Sequence, residues 1–190
     1  MNLAAIIFLL STITSTNLQE NNPSYEELVN QAMTSCKGAR GKKVDVDLLW
    51  KLVEVERHYK PAPKIRGMIL AAACMESAYN PKAKGDHKFS KSGKKPKAIG
   101  ILQLWPIYEK MYPGLDRTNP VEAGHAWMKH IVKMIPRVKK QCRYKTPERI
   151  WVAAWVTGIR YKKPGGRCNE RPKHLRILKR WHRNIMKSRK

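Results

Sequence analysis

Residues 65–81, IRGMILAAACMESAYNP, constrain this chain more than any other stretch. Up to Pro81, which ends the segment, nearly every side chain is apolar or small. A helix that is apolar all round has no face for water and must be packed on every side by other elements. The flanking sequence supplies such elements. In DVDLLWKLVEVERHY, residues Leu48, Leu49, Leu52, Val53 and Val55 fall near one face at helical spacing, and Asp45 and Asp47 sit where a helix start favours negative charge. The prolines of KPAPK then break that helix.

Two later helices announce their starts. Asn119-Pro120-Val121-Glu122 combines a capping side chain, proline at the first helical position and an acid three residues after the cap. Thr146-Pro147-Glu148 repeats that logic ahead of RIWVAAWVTGIRY. A short helix is expected from about Pro23 to Cys36, followed by the basic linker KGARGKK. A final helix is expected over 169–187, where Leu175, Leu178, Trp181, His182 and Ile185 recur at helical spacing. No alternating strand pattern of useful length occurs. The expected fold class is all-α, or α with a small hairpin in the 84–97 loop.

The N-terminus speaks to compartment. LAAIIFLL, followed by STITSTN, is too short to span a bilayer and reads as the apolar core of a signal peptide cleaved near Ser15, although no Lys or Arg precedes it. The expected division is a signal peptide over 1–16, an N-terminal helix and basic linker over 17–43, and the main domain over 44–190. Four cysteines, Cys36, Cys74, Cys142 and Cys168, are consistent with an oxidising compartment, and none forms a CxxC pair. Three pairings are open to them. A Cys142–Cys168 bridge would staple the two ends of one predicted helix and leave Cys36 for Cys74.

Charge narrows the partners. Lys and Arg number 39 against 14 Asp and Glu, a net +25 that draws polyanions in a salt-dependent way. Nucleic acid, anionic lipid and the anionic polymers of bacterial envelopes all qualify on charge alone.

Because acids are few, each can be inspected for its setting. Most lie near helix starts (Asp45, Asp47, Glu122, Glu148, Glu170) or among loop lysines (Asp86, Asp116). Glu76 follows Ala71-Ala72-Ala73-Cys74-Met75 near the end of the apolar helix. Both the helix dipole and desolvation disfavour an anion there, so its pKa is expected to rise. A carboxylic acid kept protonated near neutrality suits protonation of a glycosidic oxygen. A bland alternative is an ion pair with one of the many lysines or arginines.

Three segments stand in order around this acid: Glu76-Ser77-Ala78-Tyr79-Asn80-Pro81, Gly100-Ile101-Leu102-Gln103, and Ala153-Ala154-Trp155-Val156-Thr157-Gly158. Together they resemble the signature segments of the soluble lytic transglycosylase family, an ES segment on a helix, a G-L-M-Q-like turn and an A-Y-N-A-G-like segment, over roughly Val44 to Tyr161. The resemblance implies a lysozyme-like helical fold with a central substrate cleft. It implies Glu76 as the single catalytic acid/base, with Ser77, Gly100, Leu102, Gln103 and Trp155 binding substrate. The chain departs from the pattern in Leu102 for Met, Trp155 for Tyr, Val156 for Asn, Thr157 for Ala, Gly85 where Ser is common, and a longer 85–97 loop.

The reaction that the resemblance implies is cleavage of the β-1,4 bond between N-acetylmuramic acid and N-acetylglucosamine in peptidoglycan. Glu76 protonates the leaving oxygen and then deprotonates the muramoyl 6-hydroxyl, giving a 1,6-anhydro end. Attack by water at the same site would give lysozyme-type hydrolysis. Neither a cofactor nor a metal is implied. The expected setting is secreted or periplasmic, the expected form a monomer, and the expected partners glycan strands and anionic envelope polymers.

Competing readings are weaker. Two-carboxylate glycosidases need a second acid, and Asp86, in a basic loop, is expected to be solvated. From Arg160 to Lys190 there are 13 Lys and Arg against Glu170 alone, yet no nucleic-acid-binding motif accompanies them. A wall-binding module that has lost activity would share every binding expectation. His125 and His130 are spaced off one helix face, and no HExxH occurs. Trp50, Trp105, Trp127 and Trp151 are expected in the core, leaving Trp155 as the tryptophan expected to meet sugar.

Overall fold

The computed structural model describes residues 23–36, 43–86, 97–142, 146–157, 176, 179 and 180. The fold is all-α. Its elements are α1 (Tyr25–Ser35), α2 (Val46–His58), a 3-10 turn (Pro63–Ile65), α3 (Met68–Ser77), α4 (Ile107–Met111), α5 (Pro120–Cys142) and α6 (Pro147–Thr157). In place of a sheet, the described residues have two isolated antiparallel bridges: Lys84 with Ile99 closes the base of the 85–98 loop, and Ile99 with Leu104 closes the 100–103 turn. The signal peptide over 1–16, Cys168 and nearly all of the C-terminal helix fall outside the described residues. No helix among those described is long and apolar enough to cross a membrane.

The caps form as the sequence requires. Asp45 accepts from the amides of Asp47 and Leu48 at the start of α2. Asn119 accepts from Val121 and Glu122 and donates to the Glu122 carboxylate at the start of α5. Helix α1 has a full capping box between Ser24 and Glu27. Pro136 lies inside α5 without ending it. The carbonyl four residues back that Pro136 leaves unbonded is that of Val132, and both residues are exposed, so water can satisfy it.

Helix α3 is packed as its composition demands: Met68 to Ala73 are all buried. Helices α1 and α2 pack on it, and α5 packs on α2 and α6. Leu48, Leu49, Leu52, Val53 and Val55 all point inward, as their spacing predicts. Gly124 lets α5 approach closely, since a Cβ there would stand 3.1 Å from a methyl of Val55. Trp127, Trp151 and Trp155 meet edge to face with centroids 5.0–5.9 Å apart and join α5 to α6. A Cys36–Cys74 disulfide ties the end of α1 to α3. Cys142 is also disulfide-bonded.

One acid departs from expectation. Glu56 on α2 is 1 % exposed, so Glu76 is not the one carboxylate placed where ionisation is costly. Helix α3 begins at Gly67 with no side-chain cap of its own. Glu56 fills that role from the neighbouring helix, accepting from Gly67 N at 2.6 Å and Ile69 N at 3.1 Å. Burial pushes its pKa up to about 7, against the opposing pull of those amide bonds and of Arg66.

Candidate active site

Glu76 is the penultimate residue of α3 and is half-buried. The helix ends abruptly after it. Ala78 and Tyr79 both adopt left-handed backbone, with φ of 50° and 60°. Such conformations cost a non-glycine residue about 1–2 kcal/mol each and are characteristically retained at functional sites. Tyr79 is buried, its hydroxyl finds no partner among the described residues, and desolvation raises its pKa.

Ser77 links two of the sequence segments. Its hydroxyl lies 2.8 Å from the carbonyl of Ile101 and 3.1 Å from that of Ala73, and it accepts from Asn80 N at 3.2 Å. The residue following Glu76 is thereby fastened to the Gly100–Leu104 turn, 24 positions further on. Ser77 thus acts as a clasp, with its hydrogen directed into the protein.

The turn itself is built around Gly100 and Gln103. Gly100 has φ +82°, and a Cβ there would fall 1.9 Å from the backbone oxygen of Arg117, so only glycine fits. Gln103 also has left-handed backbone, φ 48°. Its Nε2 donates to the carbonyls of Gly100 at 2.8 Å and Ala83 at 3.2 Å. Leu102 is 3 % exposed and serves the core, so its side chain offers no surface to a ligand. Trp155, half-buried, is placed in the tryptophan cluster with Trp127 and Trp151. Ser77 and the turn are thus joined directly, while Trp155 on α6 packs against Trp127 and Trp151.

The departure at Gly85 has a local reason. A Cβ there would stand 2.0 Å from Gln103 Oε1. The Gly85 backbone is not in the left-handed region, so the obstacle is the glutamine alone. Gly85→Ser is expected to displace Gln103, break its two bonds and cost about 1–3 kcal/mol in a denaturant titration. In a Gln103→Ala background the same change should cost much less. Equal costs in both backgrounds would contradict this packing. Asp86, which follows, is half-buried with φ 58°, not the fully solvated loop acid that the sequence suggests.

Compared with protein-family models, curated proteins and solved structures, the chain matches none.

Arg117 is the site residue that sequence reasoning misses. It is 8 % exposed; its Nε donates to Glu109 at 2.7 Å, and one NH1 group donates to the carbonyls of Lys97 at 2.8 Å and Leu104 at 2.7 Å. One guanidinium thus holds both the segment leading into the turn and its last residue. Nothing in the local sequence, LDRTNP, marks it among 39 basic residues.

The histidines lie elsewhere. His125 faces His58 and Tyr59, and with His58 it lines a groove of about 580 Å³ between α2 and α5 whose lining contains none of the motif residues. Burial and His58 lower its pKa. His130 is buried against Tyr108. No group of three or more His, Cys, Asp or Glu among the described residues is placed to hold a metal.

Proposed function

We propose that the chain cleaves the β-1,4 bond between N-acetylmuramic acid and N-acetylglucosamine in peptidoglycan, with Glu76 as general acid and then base. The observation that carries this reading is the bond from Ser77 to Ile101, which brings the segment bearing Glu76 against the Gly100–Gln103 turn. An acid at the end of an apolar helix, beside a turn fixed on three sides, has the rigidity that general acid catalysis needs. In this reading the substrate cleft runs past Glu76 and the turn, as in lysozyme-like folds. Glu76 gives its proton to the glycosidic oxygen and then takes the proton of the muramoyl 6-hydroxyl, which closes the 1,6-anhydro ring.

The rest of the molecule agrees with work in a bacterial envelope. The net charge of +25 suits attachment to anionic wall polymers, and the disulfides suit a secreted or periplasmic protein. Hydrolysis of the same bond is the second reading. It is favoured by the same placement of Glu76, with water in place of the 6-hydroxyl. Purified protein is expected to release soluble fragments from isolated peptidoglycan, and mass spectrometry of their ends separates the two products by one water. Failure to release fragments across pH 5–8 and low to moderate salt would overturn the proposal.

A further inference from the structure

Among the described residues, five large apolar side chains are exposed: Met33, Val46, Trp105, Met111 and Val132. Trp105 is the aromatic one, at 39 % exposure, and so is not the core residue its sequence context suggests. It follows directly on the turn, two residues after Gln103. It is held firmly there. Its own carbonyl accepts from Tyr108 N at 2.9 Å. The preceding carbonyl, of Leu104, accepts from Ile99 N at 3.2 Å and from Arg117 at 2.7 Å. Pro106 restricts the backbone on the other side.

The indole has a cationic neighbour. Lys97 Nζ lies 5.6 Å from the ring centroid. That pairing is built from the backbone: the same Arg117 nitrogen that holds Leu104 also holds the carbonyl of Lys97. A nearly buried arginine therefore sets the spacing between an exposed aromatic face and an ammonium group, and does so beside the candidate site.

We propose that Trp105 and Lys97 form a subsite for a pyranose ring that carries a carboxylate, with Arg117 as the positioning residue. The apolar face of the sugar stacks on the indole, and the carboxylate pairs with the Lys97 ammonium. In the substrate proposed above, such a ring is N-acetylmuramic acid through its lactyl group, so the inference rests on that reading for its natural ligand. A neutral N-acetylglucosamine ring would gain the stacking but not the charge.

The test uses full-length protein carrying Glu76→Gln, so that ligand is not consumed. Two probes are titrated by calorimetry and tryptophan fluorescence: the tetrasaccharide of alternating N-acetylglucosamine and N-acetylmuramic acid, and neutral chitotetraose. Trp105→Ala is expected to weaken both by about tenfold, while Trp105→Phe loses about threefold or less. Lys97→Met is expected to weaken the acidic tetrasaccharide by about fivefold and leave chitotetraose within twofold. Trp105 is exposed and Lys97 half-buried, neither in the core, so circular dichroism and melting temperature should stay close to the parent's. Arg117→Lys keeps the charge but not the paired carbonyl contacts, and should lessen the preference for the acidic probe. Undiminished binding by Trp105→Ala, or equal loss of both probes in Lys97→Met, would overturn the subsite. So would a single-stranded oligodeoxynucleotide that binds through Trp105 more tightly than either glycan. Glycan binding that depends on Trp105 in a protein releasing nothing from peptidoglycan would sustain the subsite and sink the proposed reaction. Release of fragments with Trp105 irrelevant to binding would do the reverse.

Discussion

Glu76→Gln should lower fragment release from peptidoglycan by at least about a hundredfold, the ordinary lower range for loss of a general acid. The amide is nearly isosteric with the carboxyl group but can neither donate nor regain a proton in the reaction. Folding should survive the change. Glu76 is half-buried at the end of α3, and the buried part of that helix, Met68 to Ala73, lies a turn away. Stability within about 1 kcal/mol of the parent is expected in denaturant titration. Two comparisons make the result decisive. Release at the parental rate would remove Glu76 from the reaction altogether. Loss of release together with loss of the folded baseline would instead show a structural residue.

Stability itself should fall as pH rises, and the cause is Glu56. The folded protein raises this carboxyl group from 4.5 to about 7. It therefore binds a proton more tightly when folded than when unfolded. The stabilisation that results is fully present below pH 4.5 and is lost as pH climbs through 7. At about 1.36 kcal/mol per unit, the difference amounts to about 3 kcal/mol at most. Other groups titrate over the same window, so the informative quantity is the parent minus Glu56→Gln. That difference should change by about 2–3 kcal/mol between pH 4.5 and 8, and a flat difference would refute the assignment. Glu56→Ala is the harsher change. It strips the acceptor from the amides of Gly67 and Ile69 inside the core, and should cost about 2–5 kcal/mol at any pH.

What could be read in the chain beforehand followed from local rules. The starts of α2 and α5 lie where capping residues and proline place them, because these signals act over three or four positions. The burial of α3 follows from having no polar face to expose. The site was legible in part. Glu76, Ser77 and the Gly100–Gln103 turn lie in recognisable segments, but what joins them does not. Ser77 meets Ile101, Gln103 meets Ala83, and Arg117 meets Lys97 and Leu104, all through backbone carbonyls. A carbonyl has no identity in sequence, so such partners leave no pattern to find. Glu56 hides for a related reason. It stands in a charged run, VEVERH, where an acid looks solvated, and only its neighbour's uncapped start explains its burial. Trp105 misleads in the opposite direction, since an apolar context suggests the core for a side chain that lies at the surface.

The bridge between Lys84 and Ile99, with Gly85 N bonded to Ala98 O at 2.8 Å, seals the base of the intervening loop. Ser77, Gly100 and Gln103 make their contacts below that seal, and Arg117 reaches just past it to the carbonyl of Lys97. The length of chain between Asp86 and Lys97 consequently matters little to these contacts, since doubling a loop costs only about 0.6 kcal/mol in closure entropy. Insertions or charge changes in this segment are therefore expected to leave the contacts of Ser77, Gly100 and Gln103 as they are. The segment is also the natural place to graft a reporter or an added binding module.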